Sequence, residues 1–172
     1  MSVLGELQPN KVFKYFEEIC SIPHGSRNLQ QISDYLVDFA KAHELKYRQD
    51  EDLNVIIWKD GSKGYEASEP VILQGHMDMV AVKEADCDKD MEKEGLDLEI
   101  NGDYISAKGT SLGGDDGIAV AYTLAVLDDE EMAHPPIEAI FTVNEEIGML
   151  GAATIDVSDL KGRLFMNMDS ED

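Results

Sequence analysis

The sequence predicts an α/β fold: a mixed, mostly parallel sheet with helices on both faces. Three observations lead there. Two amphipathic helical stretches open the chain, and short apolar runs bounded by turn residues then alternate with further helical stretches. Acidic or histidine residues recur where those runs stop. Strands separated by helices need crossover connections, which favour parallel pairing and a sheet covered on both sides.

Val12, Phe13, Phe16, Ile19 and Cys20 recur at helical spacing between Pro9 and Pro23. A second helix is expected over 29–44, with Ile32, Tyr35, Leu36, Phe39 and Ala40 on one face. The apolar runs 54–59 and 71–74 read as strands, separated by the turn-rich stretch 60–64. Residues 96–100 and 103–106 flank Asn101-Gly102 and read as a hairpin turning at that pair. Gly109-Thr-Ser-Leu-Gly-Gly-Asp-Asp-Gly117 is a glycine-rich loop opening an apolar helix, 118–127. After His134-Pro-Pro136, residues 137–143 form a buried strand that runs into Asn144-Glu-Glu146. A short helix over 149–154 and a last strand over 163–168 lead to Asp169. The sequence holds no repeat, low-complexity tract or interdomain linker, and it stops just past a strand end. The expectation is therefore a truncated domain.

A length of 172 residues is enough for a real core, and 43% apolar with 29% charged residues is a globular rather than a disordered composition. No apolar stretch approaches the roughly 20 residues that span a bilayer, and the N-terminus lacks the basic start and apolar run of a signal peptide. A cytoplasmic protein is the expectation. Lys and Arg number 14 against 36 Asp and Glu, a net charge of −22, which argues against nucleic acid or an anionic membrane as partner. The acidic run Asp128-Asp129-Glu130-Glu131 reads as a solvated helix end. Cys20 and Cys87 make neither a disulfide framework nor a metal knuckle: Cys20 reads as packing, Cys87 as a free surface thiol.

Four segments share one pattern, an apolar strand or glycine turn followed by acidic or histidine residues: His76 with Asp78, Asp115 with Asp116, Glu145 with Glu146, and Asp169. In Gly75-His76-Met77-Asp78-Met79-Val80, the i and i+2 residues of a strand point to one face. At its carboxyl end, where open α/β sheets build their sites, both would emerge together. So many carboxylates around one imidazole repel each other unless cations lie between them. Imidazole with carboxylate suits Zn²⁺, with Mn²⁺ or Co²⁺ as substitutes, better than Ca²⁺. Competing readings stand beside this one. Glycines before a helix can cradle phosphate, although here Ile118 and Ala119 replace the lysine and hydroxyl a phosphate loop needs. Asp115 or Asp116 could simply cap the helix. Glu145-Glu146 could be a charged strand end, or a pair in which one binds metal and the other stays free as a base.

In order, Gly75-His-Met-Asp-Met-Val80, Gly109-Thr-Ser-Leu-Gly-Gly-Asp-Asp-Gly117, Asn144-Glu-Glu-Ile-Gly-Met-Leu-Gly-Ala152 and Asn167-Met-Asp-Ser-Glu171 resemble the di-zinc aminopeptidase/dipeptidase superfamily. Together with Pro9-Asn-Lys-Val-Phe-Lys-Tyr-Phe-Glu-Glu-Ile-Cys-Ser-Ile-Pro-His-Gly-Ser-Arg27, they are most similar to its aminoacyl-histidine dipeptidases, and the resemblance spans nearly the whole chain. It implies a zinc-peptidase-like catalytic domain holding two Zn²⁺. His76 and Asp169 would bind the first ion, Asp115 would bridge both, and Glu146 would bind the second. Asp78 would support the first site and Glu145 would be the general base. The activity implied is hydrolysis of a small peptide, a dipeptide ending in histidine, by a metal-bridged hydroxide; another amide hydrolase of the superfamily (a tripeptidase or aminoacylase) and a non-catalytic metal-binding fragment are the alternatives. The resemblance also implies that 1–172 is the N-terminal part of a catalytic domain. A lid or dimerisation domain, the C-terminal part and a second-zinc histidine would lie outside it, in a homodimeric parent. His24 is expected near the entrance or structural, His43 solvated at a helix end, and His134 in a loop.

Overall fold

The computed structural model describes residues 2–169; Ser170 and Glu171 of the fourth motif lie outside them. Two helices come first, α1 (Asn10–Cys20) and α2 (Gln30–Ala42), followed by β1 (Lys46–Gln49), β2 (Val55–Lys59) and β3 (Val71–His76). A separate hairpin, β4 (Leu98–Asn101) with β5 (Tyr104–Ala107), precedes α3 (Gly114–Leu127), β6 (Ile137–Thr142), α4 (Leu150–Thr154) and β7 (Leu164–Asn167). The main sheet runs β1-β2-β6-β3-β7. It is mixed: β1–β2 and β2–β6 are antiparallel, whereas β6–β3 and β3–β7 are parallel.

Strand alternation divides the core. Val55 and Ile57 of β2 with Ile137, Ala139 and Phe141 of β6 face the helical layer of α1, α2 and α3, where Phe16, Ile19, Ile32, Leu36 and Leu124 are buried. Each such side chain contributes about 1.5–3 kcal/mol through its burial, so this layer holds the domain together. On the opposite face the described residues bury Ile56, Ile72 and Ile140, packed against Trp58 of β2 and against Ile155 and Leu160 from the α4 side. Every residue of β6, the central strand, is buried. Asp128 and Asp129 at the α3 carboxyl end are unfavourable to the helix dipole. Lys11 pairs with both carboxylates, and Lys59 donates to the Val126 and Asp129 carbonyls. No described helix is long and apolar enough to cross a membrane.

Three local expectations need correction. β1 was not foreseen, because Lys46-Tyr-Arg-Gln49 is a polar edge strand without an apolar run. The hairpin turns one residue later than expected: Asn101 pairs with Tyr104, which leaves Gly102 (φ 62°) and Asp103 as the turn. His43 is not simply solvated; its ring stacks on Phe39 and its Nδ1 lies 3.5 Å from Asp128. Cys20 is buried and Cys87 half-buried, both as free thiols.

Candidate metal centre

Parallel pairing places the carboxyl ends of β6, β3 and β7 side by side. His76 is the last residue of β3, Glu145 and Glu146 follow β6, and Asp169 follows β7. Asp115 and Asp116 come from the other direction, at the start of α3. Gly75 lets that helix approach: a Cβ there would lie 2.9 Å from Asp116 Oδ2 and 3.0 Å from the Ala119 Cβ. Gly113, at φ 70°, makes the left-handed turn into the helix. The Asp115–Asp116 peptide is cis.

The His76 ring is buried and oriented. Its Nδ1 lies 2.9 Å from the Asp78 carbonyl and 3.5 Å from that residue's carboxylate, so the carbonyl is the closer acceptor. Nε2 is thereby left facing Asp115 Oδ1 at 3.1 Å and Glu145 Oε2 at 3.9 Å, an arrangement that orients a metal ligand. Asp78 is itself buried, taking the Glu145 N–H at 3.0 Å and the Ser26 hydroxyl at 2.7 Å. Asp116 is 1% exposed and accepts the His76 backbone N–H at 3.1 Å. Neither aspartate makes a side-chain cap to α3, which removes the helix-cap reading.

Among the described residues, two groups have ligand atoms within 4.8 Å of one another: His76, Asp115 and Glu146, and His76, Glu145 and Asp169. All four expected metal ligands and Glu145 thus fall in two overlapping groups that share His76. Glu145 stands with Asp169, and Glu146 with Asp115. Unbalanced negative charge marks the spot. Burial, reinforced by Asp169 and Asp115, outweighs the pull of His76 and raises Asp116 to about 7. Burial and surrounding carboxylates likewise push Glu145 and Glu146 up. Although burial favours a neutral ring, hydrogen bonding to Asp78 and the charges of Asp116, Asp78 and Asp115 raise His76 to about 9. Burial also opposes the Asp78 charge, but bonds from His76, Glu145 and Ser26 hold its pKa down. A cation among these carboxylates would relieve the repulsion, and the mixed donor set fits Zn²⁺.

The remaining histidines belong to neither group. His24 Nδ1 is 2.6 Å from the Ile22 carbonyl, and His134 Nδ1 is 2.7 Å from that of Pro135. A groove of about 260 Å³ opens beside Glu145 and Asp169, lined by Ile140, Ile155 and Phe165. A larger cleft of about 430 Å³, between Lys46, Trp58 and Lys161, contains none of the candidate ligands; chemistry rather than size locates the site. Sequence reasoning missed Ser26 and Asn144 as parts of it. Asn144 Oδ1 accepts the Arg27 N–H at 2.8 Å, a contact across 117 residues that no local pattern encodes.

The fold with this cluster at its strand ends is that of a zinc-peptidase-like domain. No family model matches the chain. Over all 172 residues it is 40% identical to the cytosol non-specific dipeptidase of Escherichia coli (strain K12), covering 36% of that protein. It superposes on the crystal structure of aminoacylhistidine dipeptidase from Vibrio alginolyticus with a TM-score of 0.94 at 40% identity, over 98% of this chain and 34% of that one. A tripeptidase from Staphylococcus aureus shares the fold alone, with a TM-score of 0.78 at 23% identity, over 98% of this chain and 45% of that one. In sequence and fold the chain therefore matches a portion of the aminoacyl-histidine dipeptidase type, spanning about a third of the length of these dipeptidases.

Proposed function

We propose that this chain carries part of the catalytic centre of a metal-dependent dipeptidase. The longer protein would hydrolyse dipeptides, those ending in histidine among them. The observation that carries the reading is the convergence of His76, Asp115, Glu145, Glu146 and Asp169 at three adjacent strand ends. The names of the Vibrio and Escherichia relatives support the substrate class and a cytoplasmic location.

His76, Asp115 and Asp169 would hold one Zn²⁺, and Asp115 with Glu146 would hold part of a second. When bound, such ions lower the pKa of water and polarise a carbonyl oxygen. The Asp78 carbonyl fixes the His76 ring so that Nε2 faces Asp115 and Glu145. Glu145, its pKa raised by burial and by the carboxylates around it, takes the proton of the attacking water. It then delivers that proton to the nitrogen of the leaving amine as the C–N bond breaks. A lid or dimerisation domain, the rest of the catalytic domain and a histidine for the second ion would belong to the remainder of a homodimeric protein. One observation favours a second reading for these 172 residues alone, metal binding without turnover: His24, His43 and His134 all lie outside the cluster.

The test is hydrolysis of an Xaa-His dipeptide by zinc-loaded protein, wild type against Glu145→Gln. The substitution is expected to lower turnover about 10²–10⁴-fold with zinc content retained. Equal turnover would remove Glu145 as the base, and zinc binding without turnover by the 172-residue chain would favour the second reading.

A further inference from the structure

We propose that the loop 22–28 is a positioning strap for the metal centre and that Ser26 is its positioning residue. The inference rests on the metal reading above, and goes beyond it by assigning a role to a segment that supplies no ligand.

The strap is laced to two of the strand ends that build the site. Alongside the continuation of β3, Gly25 forms a parallel bridge with Met79. Met79 N–H donates to the His24 carbonyl, and Ser26 N–H to the Met79 carbonyl. The approach is close enough that a Cβ on Gly25 would lie 2.7 Å from the Ala81 Cβ. At the end of β6, the Arg27 N–H donates to Asn144 Oδ1, one residue before Glu145. The outer end is held as well, by the Asn28 side chain on the Glu92 carbonyl at 2.9 Å.

These attachments converge on Asp78, whose side chain is fully buried. One oxygen, Oδ2, takes the Ser26 hydroxyl at 2.7 Å; the other, Oδ1, takes the Glu145 N–H at 3.0 Å and lies 3.5 Å from His76 Nδ1. One carboxylate thus couples the strap, the expected ligand His76 and the expected base Glu145. A carboxylate with a donor on each oxygen cannot rotate without breaking a bond. Removing the Ser26 hydroxyl leaves Oδ2 buried without that donor. Asp78 then keeps only the Glu145 N–H on Oδ1, so the carboxylate that adjoins the His76 ring and anchors the Glu145 backbone loses its tie to the strap. Outer partners of this kind affect metal affinity about 10–100-fold, although Ser26 itself stands in neither ligand group.

The experiment is titration of the 172-residue chain with Co²⁺ alone, followed by visible absorption, for wild type, Ser26→Ala, Ser26→Thr and His76→Ala. Melting curves without metal establish that each variant is folded. Ser26→Ala is expected to bind Co²⁺ about 10-fold more weakly and to change the cobalt spectrum, with Ser26→Thr restoring both. Wild-type affinity and spectrum in Ser26→Ala would overturn the strap. So would weaker binding with an unchanged spectrum that Ser26→Thr fails to rescue, because that pattern is general destabilisation. If His76→Ala binds Co²⁺ as wild type does, the metal reading itself fails and the strap falls with it.

Discussion

Asp116 adjoins a candidate ligand yet is turned inward, where its Oδ2 holds the backbone N–H of His76. Replacing it by alanine would leave that buried donor unpaired, at a cost of about 1–3 kcal/mol. Asp116→Asn keeps an oxygen acceptor of the same shape and should cost less. Urea unfolding of the metal-free variants checks the order; equal stabilities for Asp116→Ala and wild type would mean that the contact contributes nothing. At this scale, the residues legible in the sequence were those following apolar runs: His76, Asp78, Glu145, Glu146 and Asp169. Asp116 reads in the sequence as one of the clustered carboxylates or a helix cap, and its hold on the His76 backbone is hidden because that partner lies 40 residues away. Ser26 lies in the stretch that carries the family resemblance, but its role is hidden there because its contact with Asp78 crosses 52 residues. Side-chain type and local spacing identify candidate ligands, but the groups that orient them depend on tertiary proximity.

Among the elements, the site depends on β6 lying between β2 and β3 while β3 lies between β6 and β7. The apolar runs over 71–74 and 137–143 identify buried strands, but no feature of either encodes their order. The parallel β6-β3-β7 ladder comes from how the α3 and α4 crossovers pack. A different element illustrates how charge sets stability. Glu17 of α1 accepts the Ser2 hydroxyl at 2.6 Å and the backbone N–H groups of Val3 and Leu4, pinning an N-terminal segment whose Leu4 is wholly buried. Partial burial opposes its charge, but those three donors win and lower its pKa below the ordinary 4.5. A depressed folded-state pKa contributes stability above the unfolded value, and that contribution is lost as pH falls through the folded one. Glu17→Gln should therefore melt roughly 1–3 °C below wild type at pH 7, with the gap narrowing as pH falls below the ordinary carboxylate range. Melting curves at neutral and acid pH decide it, and a constant gap would show that the carboxylate charge is not involved.

For the molecule as a whole, two surface properties oppose each other. A net charge of −22 keeps copies apart, while β7, an edge strand among the described residues, exposes Leu164, Phe165 and Met166 at 59%, 55% and 48%. An exposed apolar edge promotes pairing. Sedimentation should accordingly show association that grows with concentration and with added salt, which screens the repulsion, and that Phe165→Lys reduces. A single monomer species throughout would contradict this. The central claim concerns the same excess of negative charge at one point, where a cation is expected among His76, Asp115, Glu146 and Asp169. The most direct test is zinc bound per chain at neutral pH, for wild type and His76→Ala. The account predicts tightly bound zinc that is lost in His76→Ala; zinc content that is negligible in both, or equal in both, would contradict it.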